Sequence, residues 1–174
     1  MDKTIVITGG SSGIGAAAAR NLRNQGFTVA ITGRSQETIR LANEIGADAF
    51  LADFAKLDDV RQLAAQLLAK YPRIDVLANN VGGVIATRQL TIDGHEKTLQ
   101  VNHLGGFLLT QLLRERLEAS QGVVIDTSSR AHRMGHLDLN DLENARHYSA
   151  WRAYGTAKLM NILHAAELNR RFRG

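Results

Sequence analysis

An α/β fold built on a doubly wound parallel sheet is the architecture this sequence predicts. Three observations carry that reading. Short apolar runs rich in Val and Ile alternate with longer stretches of helical periodicity. The first run leads into a glycine-rich turn that opens the first helix. The apolar runs are nearly continuous rather than alternating, as strands covered on both faces should be.

The strands are expected at residues 4–8, 28–32, 47–52, 75–78 and 123–127. Helices are expected at 13–25, 36–45, 57–71, 94–118 and 150–172. Asp58 and Asp59 fall in the first turn of the third helix, where carboxylates suit the helix dipole. Gly26 and Gly46 follow their helices as C-terminal stops. Residues 135–149 form the one long irregular stretch, and loops of that length are often functional.

A chain of 174 residues reads as one domain, residues 1–174, with enough sequence for a real core. Its 44% hydrophobic and 22% charged content fit a globular protein. The formal charge of +4 permits an anionic partner, but no run of five Lys or Arg exists, so nucleic acid is not favoured. The absence of Cys excludes disulfides and thiolate chemistry. The six His show no metal-ligand spacing, so no metal site is expected. No apolar run is long enough to span a membrane, and the N-terminus enters a strand directly, so a cytoplasmic location is expected.

The turn after the first strand runs Thr8, Gly9, Gly10, Ser11, Ser12, Gly13, Ile14, Gly15. Its glycines permit a tight turn and a close backbone approach to a pyrophosphate. The helix that follows offers free N–H groups and the positive end of its dipole. The spacing departs from G-x-G-x-x-G, and no Gly-Lys-Ser/Thr follows as in a P-loop. After the second strand, Arg34 and Ser35 stand where an NAD site places an acid for the ribose 2′-hydroxyl. A guanidinium fork suits a 2′-phosphate, so NADP is favoured over NAD.

Tyr154 and Lys158 lie four residues apart on the last helix, hence on one face about one turn apart. A phenol titrates near ~10, and a fixed cation beside it favours the phenolate. The pairing points to proton exchange with an alcohol or carbonyl.

The turn at Thr8–Gly15, the run Asn79, Asn80, Val81, Gly82, the pair Ser128 and Ser129, and Tyr154 with Lys158 occur in order. Together they resemble the short-chain dehydrogenase/reductase family across the whole chain. Residues 101–107, residues 128–132 and the long stretch before Tyr154 are most similar to its retinol-dehydrogenase-like branch. The resemblance implies a Rossmann-like fold and an NADP(H)-dependent oxidoreductase. Hydride would pass between nicotinamide and a carbonyl or secondary alcohol of a small, lipophilic substrate. Tyr154 would be the general acid/base, and Lys158 would favour its ionised form and hold the nicotinamide ribose. Ser129 would hydrogen-bond the substrate oxygen, with Ser128 the alternative one register away. Asn102 would help pass protons to solvent. Gly9, Ser11, Ser12, Gly13, Ile14, Gly15, Arg34, Ser35, Asp53, Asn79 and Gly82 would hold the dinucleotide, with Asp53 at the adenine.

Val81 replaces the family's more usual Ala. Family members also continue through further C-terminal strands and a Pro-Gly pair, whereas the only proline here is Pro72. The chain is therefore expected to be part of a longer protein, with residues 123–127 at an open sheet edge. A non-catalytic nucleotide-binding or dimerising module is the alternative function. A nucleotide-sugar epimerase is disfavoured because Gly-x-x-Gly-x-x-Gly is absent. The apolar residues of 107–113 and 159–163 exceed one core-facing stripe, so a homo-oligomer is expected, with simple burial on the sheet as the other reading.

Overall fold

The computed structural model describes residues 3–171. Five parallel strands, β1 (Thr4–Ile7), β2 (Thr28–Gly33), β3 (Asp48–Leu51), β4 (Val76–Asn79) and β5 (Val123–Asp126), lie in the order β3-β2-β1-β4-β5. Each crossover carries a helix, as parallel pairing requires. Order reverses between β1 and β4. That switch point, at the carboxyl ends of the strands, is where open α/β sheets bind ligands.

The two faces of the sheet are packed separately. Ile5, Ile7, Val29 and Ile31 face α1 (Gly13–Asn24) and α2 (Gln36–Ile45). Val6, Ala30 and Leu77 face α3 (Leu57–Lys70) and α5 (Gly105–Ala119). In α3 the buried Val60, Leu63, Ala64 and Leu67 recur at helical spacing and form one apolar stripe. Burial of each Leu contributes roughly 1.5–3 kcal/mol. At the end of α2, Gly46 takes a left-handed φ of 68° and stops the helix.

The long helix expected at 94–118 begins later and is not uniform. A single turn, α4 (Lys97–Leu99), is capped by Glu96, whose carboxylate accepts from Thr98 N and Leu99 N at 2.7 and 2.8 Å. A π-helical segment (Gln100–Leu104) then joins it to α5. After β5 a 3₁₀ turn (Arg130–Met134) leads into the irregular residues 135–149, and α6 (Ala150–Arg171) follows. The remainder of the expected last helix, Phe172, lies outside the described residues.

Among the described residues β5 has a strand neighbour on one side only, and Val123 and Ile125 are 55% and 51% exposed. An open apolar edge is a template for association. Ile125→Lys should lower concentration-dependent light scattering without lowering the melting temperature. Unchanged scattering would show that this edge does not drive association.

Candidate active site

The turn that leaves β1 is shaped by backbone contact. Gly9 has a φ of 65°, and Gly10 N donates to Thr32 O at 2.9 Å. A Cβ on Gly15 would collide with the Gly9 carbonyl and stand 2.8 Å from Asn80 Nδ2, so only glycine lets α1 pack this closely on the turn. The start of α1 has no side-chain cap from Ser12 and no acid in its first turn. By contrast Glu37 opens α2, and Asp58 and Asp59 open α3. The first N–H groups of α1 are thus left with the electrostatics an anion would complete.

They face a cavity of about 700 Å³, within the size range of ligand sites. Gly9, Ser11, Ser12, Gly13 and Ile14 form one wall, and Arg34 and Asp53 line the end beyond β2 and β3. Arg34 is exposed, and no ion pair engages it among the described residues. Asp53 Oδ1 accepts from Ala55 N at 3.0 Å. Gly82, Tyr154 and Lys158 line the same cavity. An uncapped helix start, a free arginine and open space beside Gly13 all fit a phosphorylated dinucleotide.

Lys158 is 2% exposed, and its ammonium donates to Thr127 O at 2.9 Å. Nζ lies 5.5 Å from the centroid of the half-buried Tyr154 ring, within cation–π range. Burial pushes the Lys158 ammonium below its usual range, and the Asp126 carboxylate opposes that shift. Trp151, 58% exposed, stands edge-on to Tyr154 with ring centroids 6.2 Å apart.

Other expected residues lie off the cavity. Ser35 starts α2 through its carbonyl, which accepts from Thr38 N at 2.9 Å. Asn79 turns inward, where Nδ2 donates to Thr110 Oγ1 and Asp126 Oδ1, each at 2.9 Å. Its neighbour Asn80 lines the cavity instead and donates to Thr8 O at 3.1 Å and Gly9 O at 3.3 Å. Asn102 clamps Gly83, accepting from Gly83 N at 2.8 Å and donating to Gly83 O at 3.0 Å. Ser129 Oγ accepts from Ala131 N at 3.2 Å and caps the 3₁₀ turn, while Ser128 Oγ donates to Lys158 O at 2.8 Å. That turn is seated directly on α6: a Cβ on Gly135 would stand 2.6 Å from Gly155 O, and one on Gly155 would meet Ala131 O.

Residues 135–149 are fastened across the site at two points. Glu143 is hydrogen-bonded to His95 Nδ1 at 2.8 Å and accepts from Glu96 N. Tyr148 donates to Ile85 O at 2.7 Å and accepts from Thr98 Oγ1 at 2.8 Å. Neither anchor has a local sequence signal, because both depend on partners about 50 residues away.

The model of the short-chain dehydrogenases, by its description "short chain dehydrogenase", matches residues 3–160. The chain belongs to the short-chain dehydrogenase family. A Streptomyces sp. (strain C5) protein described as a daunorubicin C-13 ketoreductase, DnrU, is 51% identical over 98% of this chain. Retinol dehydrogenase 13 of Homo sapiens is 37% identical over 99% of it. The chain spans 61% of the length of the first relative and 55% of the second. A metagenomic short-chain oxidoreductase solved in complex with NADP superposes with a TM-score of 0.76 at 27% identity, covering 98% of this chain and 77% of that one. Among the described residues no helix is long and apolar enough to cross a membrane.

Behind the site, His103 is buried against Asn161, His164 and Phe107. Burial pushes its imidazole below the usual histidine range. Its contribution to stability is therefore complete above the unfolded value of about 6.5 and is lost as pH falls through the lower folded value. Melting temperature should drop on acidification below pH ~6.5, and His103→Gln should flatten that drop. An unchanged slope would assign the acid sensitivity to other groups.

Proposed function

We propose that this short-chain dehydrogenase is an NADP(H)-dependent oxidoreductase acting on a carbonyl or secondary alcohol. The observation that carries the reading is the convergence of Tyr154 and Lys158 on the same cavity as the uncapped start of α1. When bound, the dinucleotide supplies or accepts the hydride. The α1 N–H groups and Ser11 and Ser12 would hold its phosphates, Arg34 its 2′-phosphate, and Asp53 its adenine. In the reducing direction Tyr154 would give its hydroxyl proton to the carbonyl oxygen, and in oxidation it would take that proton back from the alcohol. Lys158 stabilises the negative charge left on the phenol oxygen and is held for that role by Thr127 O. Ser129 orients the substrate oxygen, and Asn102 keeps the Gly82–Gly83 wall in place.

A lipophilic substrate fits the exposed Trp151 and the Val84 and Ile85 side of the cavity. The names of the two relatives, a daunorubicin ketoreductase and a retinol dehydrogenase, support the same class. Leu109 and Leu113 of α5 are core, while Phe107, Leu112, Ile162 and Leu163 are exposed on α5 and α6. That outer face supports association of two copies, which sedimentation over a concentration series would test. The activity itself is tested by NADPH oxidation with a panel of lipophilic ketones. Tight NADPH binding without turnover would leave a nucleotide-binding module.

A further inference from the structure

A buried polar layer lies directly behind Lys158. Asn161, one turn further along α6, is 5% exposed. Its Nδ2 donates to two main-chain carbonyls, Asn102 O and Thr127 O, each at 3.1 Å. Its Oδ1 is hydrogen-bonded to His103 Nδ1 at 2.9 Å. An amide oxygen only accepts, so His103 Nδ1 carries the proton in this bond. With the amide reversed, Oδ1 would face two carbonyl oxygens and Nδ2 would face a donor. His103 and the two carbonyls therefore hold Asn161 in the same orientation from opposite ends.

Two features tie this layer to the chemistry. Thr127 O is the same oxygen that accepts from Lys158 Nζ at 2.9 Å. Asn102 and His103 both lie in the π segment Gln100–Leu104, and such insertions are frequent at functional sites. We propose that Asn161, oriented by His103, is a positioning residue for Lys158, clamping the Thr127 carbonyl that holds the ammonium against the Tyr154 ring. Its catalytic meaning rests on the reading of Tyr154 and Lys158 given above. The charged and titratable groups around the ammonium are Tyr154 on α6, Asp126 at the end of β5 and His103 on the π segment. His164 is bound to Asp126 at 2.7 Å.

The test follows the ammonium itself in this chain. NMR of ¹³C-labelled lysine, with the Lys158 signal assigned by its loss in Lys158→Arg, gives the titration midpoint of that side chain. Asn161 turns the positive end of its amide toward the oxygen that Nζ shares, which opposes the charged form. Asn161→Leu should therefore raise the midpoint by about half a pH unit or more. Asn161→Asp, which brings a carboxylate to the same place, should raise it further. His103→Phe removes the donor to Oδ1 and loosens the amide's hold on the carbonyls, so it should also raise the midpoint, by less than Asn161→Leu. His103→Gln keeps a donor toward Oδ1 and should stay near wild type. Midpoints that do not move in folded variants would overturn the proposal and leave Asn161 a packing residue. Should Asn161→Leu fail to fold, the His103 pair carries the comparison. Turnover in the wild type with unmoved midpoints sinks the positioning role alone. Moved midpoints without turnover uphold that role and sink the oxidoreductase reading.

Discussion

Tyr154→Phe should lower turnover with NADPH and a ketone by roughly two to four orders of magnitude, the usual span for loss of a positioned acid–base group. The substitution removes one hydroxyl and little else. The ring that Nζ of Lys158 approaches at 5.5 Å remains, as does the edge contact with Trp151. Melting temperature and NADPH affinity should therefore stay close to wild type. This separation of kcat from binding is the signature of a group that acts on the reacting atoms. A variant that kept turnover within a few-fold of wild type would place the proton donor elsewhere.

Arg34→Glu should weaken NADPH binding by roughly one to two orders of magnitude while sparing or improving NADH binding. A charge-assisted bond of a guanidinium to a phosphate contributes about 1.5–3 kcal/mol. The new carboxylate would add repulsion toward the 2′-phosphate and an acceptor for a 2′-hydroxyl. Arg34 is well placed for so clean an exchange because it is exposed at the cavity and bound into no ion pair among the described residues. Fluorescence titration with both dinucleotides measures the ratio. An unchanged ratio would remove Arg34 from cofactor selection.

The sheet was legible because its evidence is local. Each strand is a short apolar run, each crossover a periodic helix, and the glycines of the first turn sit where β1 must hand over to α1. The place of Arg34 at the cavity was legible for the same reason, since it follows β2 directly. Where long-range contact chooses the outcome, local sequence carries no signal. Asn79 and Asn80 are adjacent, yet the pleat sends one to Asp126 and the other to the cavity. The π segment interrupts a pattern that reads as continuous helix, and its Asn102 and His103 are held by Asn161 about 60 residues away. Asn161 itself carried a usable signal, since it lies three residues after Lys158 on the same helix face. Ser129 Oγ caps a turn, the ordinary duty of a serine that follows a strand.

The glycine contact between the 3₁₀ turn and α6 has an evolutionary consequence. Backbone meets backbone at Gly135 and Gly155, so the turn that follows Ser129 and the helix that bears Tyr154 and Lys158 form one rigid block. Drift within that block would disturb several roles together. The opposite bank, residues 83–98, is tied to residues 135–149 through the side chains of Glu143 and Tyr148. Mutation can reshape that bank by exchanging those side chains while the placement of Tyr154 and Lys158 is inherited intact. Under the proposed function, new substrates would then be acquired on one side of the cleft and the reaction conserved on the other.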